Sequence, residues 1–534
     1  MDSQSSAAIL TARNLQLANI SVEKNNPLIQ DLSFSLGSGQ IVALIGASGA
    51  GKSALIRSVL RFDGPQSPFK LNGELLFSTA PTSLDLIQSA SSEFNIARSR
   101  HIAWIAQDSY AALNPTYTCK DHLEEARRFA FSSSAKYVQA QELLSSVGLP
   151  IDDAFCNAYP NQLSGGQIQR LQIACALAKN PILLFADEPV SSLDPINRNQ
   201  ILTLLKTLAQ KRNMGVFLVS HDLESLWRFS DEVIVLEHGI VVEQGCAQTI
   251  LERPKSAYGK TLMQSKQTLL EHTFLKKQMA QNAILSISNL SFSYLRNESN
   301  VKHKTQNISA LDAINLEVFE GEILGIVGSS GSGKSTLARC LAGLETAIAG
   351  KINTSFTPQN FKQSPVQLIF QDAAAALNPY QTLETCLREA LRHAEPSLSK
   401  YRFDSIISEL FLTVGLSEEL KKRMPHQISG GQRQRFCVAR ALCFSPNLML
   451  FDEALSALDV VSQIALLRLI RSLNEEKKIT MVFVSHDLQA VRYISHRIAV
   501  ISEGKIIEVN SPEELFRNPQ QECTQKLIDA TFSS

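Results

Sequence analysis

Two kinds of apolar pattern alternate along the chain. Short, nearly unbroken runs occur at 40–46 ("QIVALIG"), 181–187 ("PILLFAD") and 215–219 ("GVFLV"). Such runs predict strands buried on both faces of a parallel sheet, because a half-solvated strand would alternate with polar residues. Between them lie amphipathic stretches with helical spacing, such as "QIQRLQIACALAKN" at 167–180, preceded by Ser164 as an N-cap and by two glycines. The stretch "DEVIVLEHGIVVEQG" at 231–245 reads as a hairpin turning at His238 and Gly239. The alternation of strands and helices predicts an α/β fold. No uncharged apolar run reaches the roughly 18–20 residues that span a bilayer. The start, "MDSQSSAAIL", lacks the basic-then-apolar plan of a signal peptide.

The pattern is written twice. "GASGAGKS" (Gly46–Ser53) returns as "GSSGSGKS" (Gly328–Ser335), and "QDSYAALNP" (Gln107–Pro115) as "QDAAAALNP" (Gln371–Pro379). "LSGGQIQR" (Leu163–Arg170) returns as "ISGGQRQR" (Ile428–Arg435), and the acid-ended strand and "VSHDL" recur in the same order. Gly46 to Gly328 spans 282 positions, but Gln107 to Gln371 only 264, so the first repeat holds 18 additional residues between its glycine loop and its glutamine. They fall near "STAPTSLDLIQSASSEF", whose serine-rich polarity predicts a surface loop. We expect a first domain over 1–270, a polar linker over 271–282 and a second domain over 283–534.

Composition narrows the function class. Lys+Arg and Asp+Glu are both 51, without the basic excess usual for nucleic-acid binding. The nine cysteines are scattered without a CxxC pair and read as reduced thiols in cores.

The chemistry-bearing residues stand at the ends of the apolar strands, where open α/β sheets bind ligands. G-x-x-x-x-G-K-S is a phosphate-binding loop whose backbone N–H groups curl around phosphate oxygens. In the first repeat it comprises Gly46, Ala47, Ser48, Gly49, Ala50, Gly51, Lys52, Ser53 and Ala54. In the second it comprises Gly328, Ser329, Ser330, Gly331, Ser332, Gly333, Lys334, Ser335 and Thr336. Lys52 and Lys334 are assigned to the β- and γ-phosphates of ATP, and Ser53 and Ser335 to Mg²⁺. Asp187 and Asp452 end apolar runs and are assigned to Mg²⁺; Glu188 and Glu453 follow as the groups that polarise the attacking water. Gln107 and Gln371 are candidates for Mg²⁺ or that water, and His221 and His486 for the γ-phosphate. Ser164, Gly165, Gly166 and Gln167, and their counterparts Ser429, Gly430, Gly431 and Gln432, form a second anion site at a helix N-terminus. Because each repeat already has a phosphate loop, this second site suits a nucleotide held by another copy. The two halves are therefore expected to close on ATP as an intramolecular sandwich.

Taken together, these motifs resemble the ATP-binding cassette family over nearly the whole chain. The resemblance implies two tandem P-loop nucleotide-binding domains, each with a mainly parallel sheet core, an antiparallel β subdomain and a helical subdomain carrying the signature helix. It implies that Ser164–Gln167 meets the nucleotide on Lys334 and Ser429–Gln432 that on Lys52, with Asp194 and Asp459 in loops between the halves. "QDSYAALNP", "QDAAAALNP" and "LFRNPQQECTQKLIDA" are similar to segments of the dipeptide, oligopeptide and nickel importers. That similarity implies a peripheral subunit on the cytoplasmic face of the inner (plasma) membrane, energising two integral membrane permease subunits and served indirectly by an extracytoplasmic solute-binding protein. An exporter ATPase and a soluble twin-cassette translation factor are the alternatives. The family stacks adenine on an aromatic residue: Tyr294 fits in the second half, whereas Asn19 stands at the aligned place in the first. Ala454 replaces the family's usual proline, and Cys246 and Cys523 stand alone, so no iron–sulfur site is expected.

Overall fold

In the computed structural model the apolar runs become strands where the sequence places them. The structure describes residues 8–20, 27–47, 49–79, 82–130, 140–191, 193–221, 228–270, 282–297, 305–356, 365–397, 399–456 and 458–532. The chain clusters into two units: Met1–Leu193 with Asn197–Gln264, and Asp194–Ile196 with Ser265–Ser534.

The first unit contains β1 (Ala8–Asn19), β2 (Pro27–Gly37), β3 (Ile41–Gly46), β4 (Phe69–Thr79), β5 (Thr82–Asp85), β6 (Ile102–Ile105), β7 (Leu183–Asp187), β8 (Gly215–Val219), β9 (Glu232–Glu237) and β10 (Ile240–Cys246). They form one sheet in the order β5-β4-β1-β2-β10-β9-β3-β8-β7-β6. The β9-β3-β8-β7-β6 portion is parallel, and its central strands β3, β7 and β8 are buried at every residue. Burial on both faces is why their sequences carry no alternation. The β5-β4-β1-β2 portion is antiparallel. His238 (φ 48°) and Gly239 (φ 81°) make the expected turn between β9 and β10. Phe217 stacks on Phe34 at 4.9 Å and meets Phe185 edge-on at 5.8 Å, which joins β2, β7 and β8 through one aromatic seam.

The second unit contains β11 (Ala283–Asn297), β12 (Thr305–Phe319), β13 (Ile323–Val327), β14 (Ala349–Thr354), β15 (Val366–Ile369), β16 (Leu448–Asp452), β17 (Thr480–Val484), β18 (Arg497–Ser502) and β19 (Lys505–Asn510). It has a three-stranded antiparallel sheet, β12-β11-β14, and a six-stranded sheet, β15-β16-β17-β13-β18-β19, parallel except for its last pair. In both units a helical region precedes the acid-ended strand. It includes Cys119–Ala130 and Gly165–Leu177 in the first and Leu383–Ala394, Lys400–Thr413 and Gly430–Leu442 in the second.

The additional residues of the first repeat are not a surface loop. Thr82–Asp85 pairs antiparallel with β4, and Ser91–Arg100 forms a helix that buries Phe94 and Ala97. Leu86 is buried with them. Serine and threonine dominate the composition, but a few apolar residues at suitable spacing are enough to anchor the segment to the core. The expected linker falls almost wholly on 271–281, outside the described residues; the helix before it ends at Leu270 and β11 begins at Ala283.

Candidate functional site

Each phosphate loop leaves the C-terminal end of a central buried strand and runs into a short helix, Lys52–Val59 or Lys334–Leu341. The loops turn through backbone hydrogen bonds from Ala50 to Ala47 O and from Ser332 to Ser329 O, both 3.2 Å. Gly51 and Gly333 sit at the helix entries with φ of 85° and 103°. A Cβ on Gly333 would lie 2.4 Å from Ala310 O, so only glycine fits there. Ser48 lies outside the described residues.

The lysines are buried at the helix starts. Lys52 Nζ donates to Gly46 O at 2.8 Å and Ala47 O at 2.9 Å; Lys334 Nζ donates to Gly328 O at 2.9 Å and Ser329 O at 2.8 Å. Each ammonium is thus aimed along the loop by the loop's own carbonyls. In the second unit the Ser330 N–H donates to Asp194 Oδ2 at 3.1 Å.

The next residue in each repeat reaches the acid. Ser53 Oγ donates to Asp187 Oδ1 at 2.9 Å, and Ser335 Oγ to Asp452 Oδ1 at 2.8 Å. Burial pushes the Asp187 carboxyl up to about 6 and that of Asp452 upward in the same direction, with the neighbouring glutamates adding to both. A hydroxyl and a buried, cation-deficient carboxylate side by side are hard oxygen donors that fit Mg²⁺. Mg²⁺ would be held by Ser53 with Asp187 and by Ser335 with Asp452.

Glu188 and Glu453 follow with φ of 46° and 49°, a left-handed backbone that glutamate rarely adopts. Glu188 Oε2 lies 3.1 Å from His221 Nδ1 and accepts from Gln107 Nε2 at 3.1 Å. Glu453 Oε2 lies 3.5 Å from His486 Nδ1, whereas Gln371 Nε2 donates to Ser456 Oγ at 3.3 Å. Burial opposes ionisation of both glutamates, but the histidine contact and the phosphate-loop lysine outweigh it and hold both carboxyls below their usual range. Each repeat therefore places a lysine, a serine–aspartate pair and an ionised glutamate against a histidine. The glutamine joins the glutamate directly only in the first repeat.

The signature turns are less bare than two glycines suggest. Ser164 Oγ accepts from the Gln167 N–H at 3.3 Å while Gln167 Oε1 accepts from the Ser164 N–H at 2.9 Å, and Ser429 and Gln432 repeat this box. Gly165 and Gly166, and Gly430 and Gly431, remain as first-turn donors without intrahelical acceptors. Tyr294 is 39% exposed on β11; its OH lies 3.2 Å from Thr336 Oγ1, beside the phosphate-loop helix. Its ring packs edge-on against Phe292. Asn19 ends β1 opposite Phe69 of β4.

Sequence reasoning missed what ties the glutamine loop to the signature helix. Ser109 donates to Gln172 Oε1 at 2.9 Å and to Gln169 Oε1, both buried on that helix. In the second unit Arg440 Nη1 donates to Ala376 O at 2.6 Å and Gln434 Nε2 to Phe370 O at 3.3 Å. The available signal was polar residues on the face of an amphipathic helix that otherwise faces the core. His122 was missed as well: its Nε2 accepts from the Asn114 N–H and its Nδ1 lies against Thr118 O, both at 2.9 Å, so it ties the "ALNP" segment to the start of the helix that follows.

Residues 29–191 and 311–456 match the ABC transporter family. The glutathione import ATP-binding protein GsiA of Escherichia coli O157:H7 is 32% identical over 556 aligned positions, covering 98% of this chain and 89% of that protein. The protein of the same description from Escherichia coli strain K12 is also 32% identical over the same coverage. An archaeal ribosome recycling factor, aABCE1, solved with the ribosomal stalk protein aP1, is similar in fold, with a TM-score of 0.56 and 21% identity over 90% of this chain and 88% of that one.

Proposed function

The chain is an ATP-hydrolysing member of the ABC transporter family, and on that premise we propose that it energises a membrane importer of a small peptide or a related small solute. The observation that carries this reading is the 32% identity across 98% of the chain to a protein described as a glutathione import ATP-binding protein. The two glutamine-bearing loops tied to the signature helices support it, since a loop fastened to that helix can pass a push to the ATP site. The fold likeness to a recycling factor carries the fold alone. No described helix is long and apolar enough to cross a membrane; in this reading the substrate path belongs to two permease subunits, with this chain peripheral on their cytoplasmic face.

In this mechanism Lys52 and Lys334 exchange their loop carbonyls for phosphate oxygens, which are stronger acceptors for an ammonium. Held by Ser53 with Asp187 and by Ser335 with Asp452, Mg²⁺ would supply neutralisation of the phosphate charge. Glu188 and Glu453, kept ionised, accept a proton from the attacking water, and His221 and His486 orient those carboxylates. Gln107 and Gln371 sense the γ-phosphate end of the site from loops tied to the signature helices.

The test is copurification of the full chain from its source membranes in mild detergent, followed by identification of bound proteins. Two integral membrane permease subunits are expected. Recovery with ribosomal proteins, and not with permeases, would overturn the importer reading.

A further inference from the structure

The first unit has a cavity of about 410 Å³ away from the phosphate loop, within the size range of small-molecule sites. Its walls come from the end of the phosphate-loop helix and the turn after it (Arg57, Ser58, Arg61), from the start of β4 (Phe69, Leu71) and from the helix Ser91–Arg100 (Phe94, Arg98). That last helix belongs to the additional residues of the first repeat, and among the described residues the second repeat shows no counterpart to it.

Arg57, Arg61 and Arg98 line the cavity against one lining carboxylate, Asp63, which pairs with Arg57 through Oδ1. Its other oxygen, Oδ2, and Ser58 Oγ are buried without a hydrogen-bond partner. Arg61 is held in place: Nη2 donates to Leu86 O at 2.8 Å and Ile87 O at 3.0 Å, and its guanidinium lies 4.2 Å over the Phe94 ring. It also occupies a left-handed backbone position (φ 51°) where the second repeat places Gly343 (φ 72°). Retaining arginine where glycine is unstrained indicates that its side chain matters there.

We propose that this cavity binds a phosphate monoester of a small hydroxylated molecule. Arg57, Arg61 and Arg98 face Asp63 in the cavity, with Asp85 also acting on Arg61 from outside the lining, and the excess of positive charge suits an anionic phosphate monoester. The orphaned Ser58 hydroxyl is a donor for a phosphoryl oxygen, the orphaned Asp63 Oδ2 an acceptor for a ligand hydroxyl, and Phe69 with Leu71 covers the carbon body.

The test is calorimetric titration of the full chain with both nucleotide sites saturated by a non-hydrolysable ATP analogue, using glucose 6-phosphate, inorganic phosphate and glucose as probes. Glucose 6-phosphate should bind, inorganic phosphate more weakly, and glucose not at all. Arg57→Gln and Arg98→Gln should each weaken glucose 6-phosphate by about tenfold, the scale of one charge-assisted contact, and Arg98→Gln should leave affinity for the ATP analogue unchanged. Asp63→Asn should weaken the sugar ester more than inorganic phosphate. Arg57 is 55% exposed, so its substitution leaves the fold intact. Absence of binding by both phosphate probes, or binding indifferent to Arg57→Gln, overturns the proposal.

Discussion

Glu188 and Glu453 accept a backbone conformation that glutamate rarely takes, and each is held there by a hydrogen bond from its N–H to the strand beside it, Val219 O or Val484 O at 2.9 Å. The strain fixes the carboxylate against the histidine. Replacing either glutamate by glutamine keeps the shape and removes the base. Each single variant should lose turnover at its own site, and the double variant should fall by about 10²–10⁴-fold, the usual weight of a general base. Phosphate release together with retained ATP measures this; a double variant that turns over normally would refute the assignment. Tyr294 supplies a second residue-scale expectation. Base–aromatic stacking is worth about 1–3 kcal/mol, so Tyr294→Ala should weaken ATP at the Lys334 site by about 5- to 150-fold. Tyr294→Phe should restore the affinity if the ring, and not the hydroxyl contact to Thr336, carries it. Site-resolved photolabelling with an ATP analogue reads both.

Two helices of the first unit are joined by a half-buried cation. Lys179, just past the signature helix, donates to Arg98 O at 2.9 Å, at the end of the helix formed by the additional residues. Burial, with Arg98 close by, lowers its ammonium to about 8, against about 10.4 in an unfolded chain. Between those values the unfolded state binds more protons, so this residue's contribution to stability improves as pH rises from about 8 towards 10.4. Below that window both states are protonated and its penalty is constant. Denaturant midpoints of the unmodified chain minus those of Lys179→Met should therefore rise with pH across the window; a flat difference would remove the burial argument. At the other end of the same helix, Ser164→Ala removes the acceptor for the Gln167 N–H and should cost about 1 kcal/mol of first-unit stability, read as a shift in denaturant midpoint. That helix was legible from its amphipathic spacing. The helix Ser91–Arg100 was not, because its polar composition resembles a loop and only the sheet edge it covers gives Phe94 and Ala97 a core to enter.

For the whole chain, ligand linkage gives the broadest check. ATP with Mg²⁺ at about a hundredfold excess over its dissociation constant should stabilise the folded chain by about 2.7 kcal/mol per site. Chelating the Mg²⁺ should remove most of that increment in a thermal melt and leave the nucleotide-free midpoint where it was. An increment indifferent to chelation would show that Ser53 with Asp187 and Ser335 with Asp452 do not hold the ion. Two units can unfold separately, so the increments belong to individual transitions and not to one midpoint. The sequence by itself determined the repeat, the buried parallel strands, the hairpin at His238 and the order of loop, glutamine, signature turn and acids. These are local signals, carried by periodicity and by residue types whose chemistry is fixed at short range. The tertiary structure decided which of these signals meet. Ser53 finds Asp187 across 134 positions and Gln107 finds Glu188 across 81. Those distances are closed by the sheet order, in which β8 lies between β3 and β7 although the chain visits β7 before β8. It also decided that Gln107 joins Glu188 while Gln371 turns to Ser456, and that three arginines of the first unit share one cavity. Motif order is the same in both repeats, but the final hydrogen bonds are set by packing that no single stretch of sequence contains.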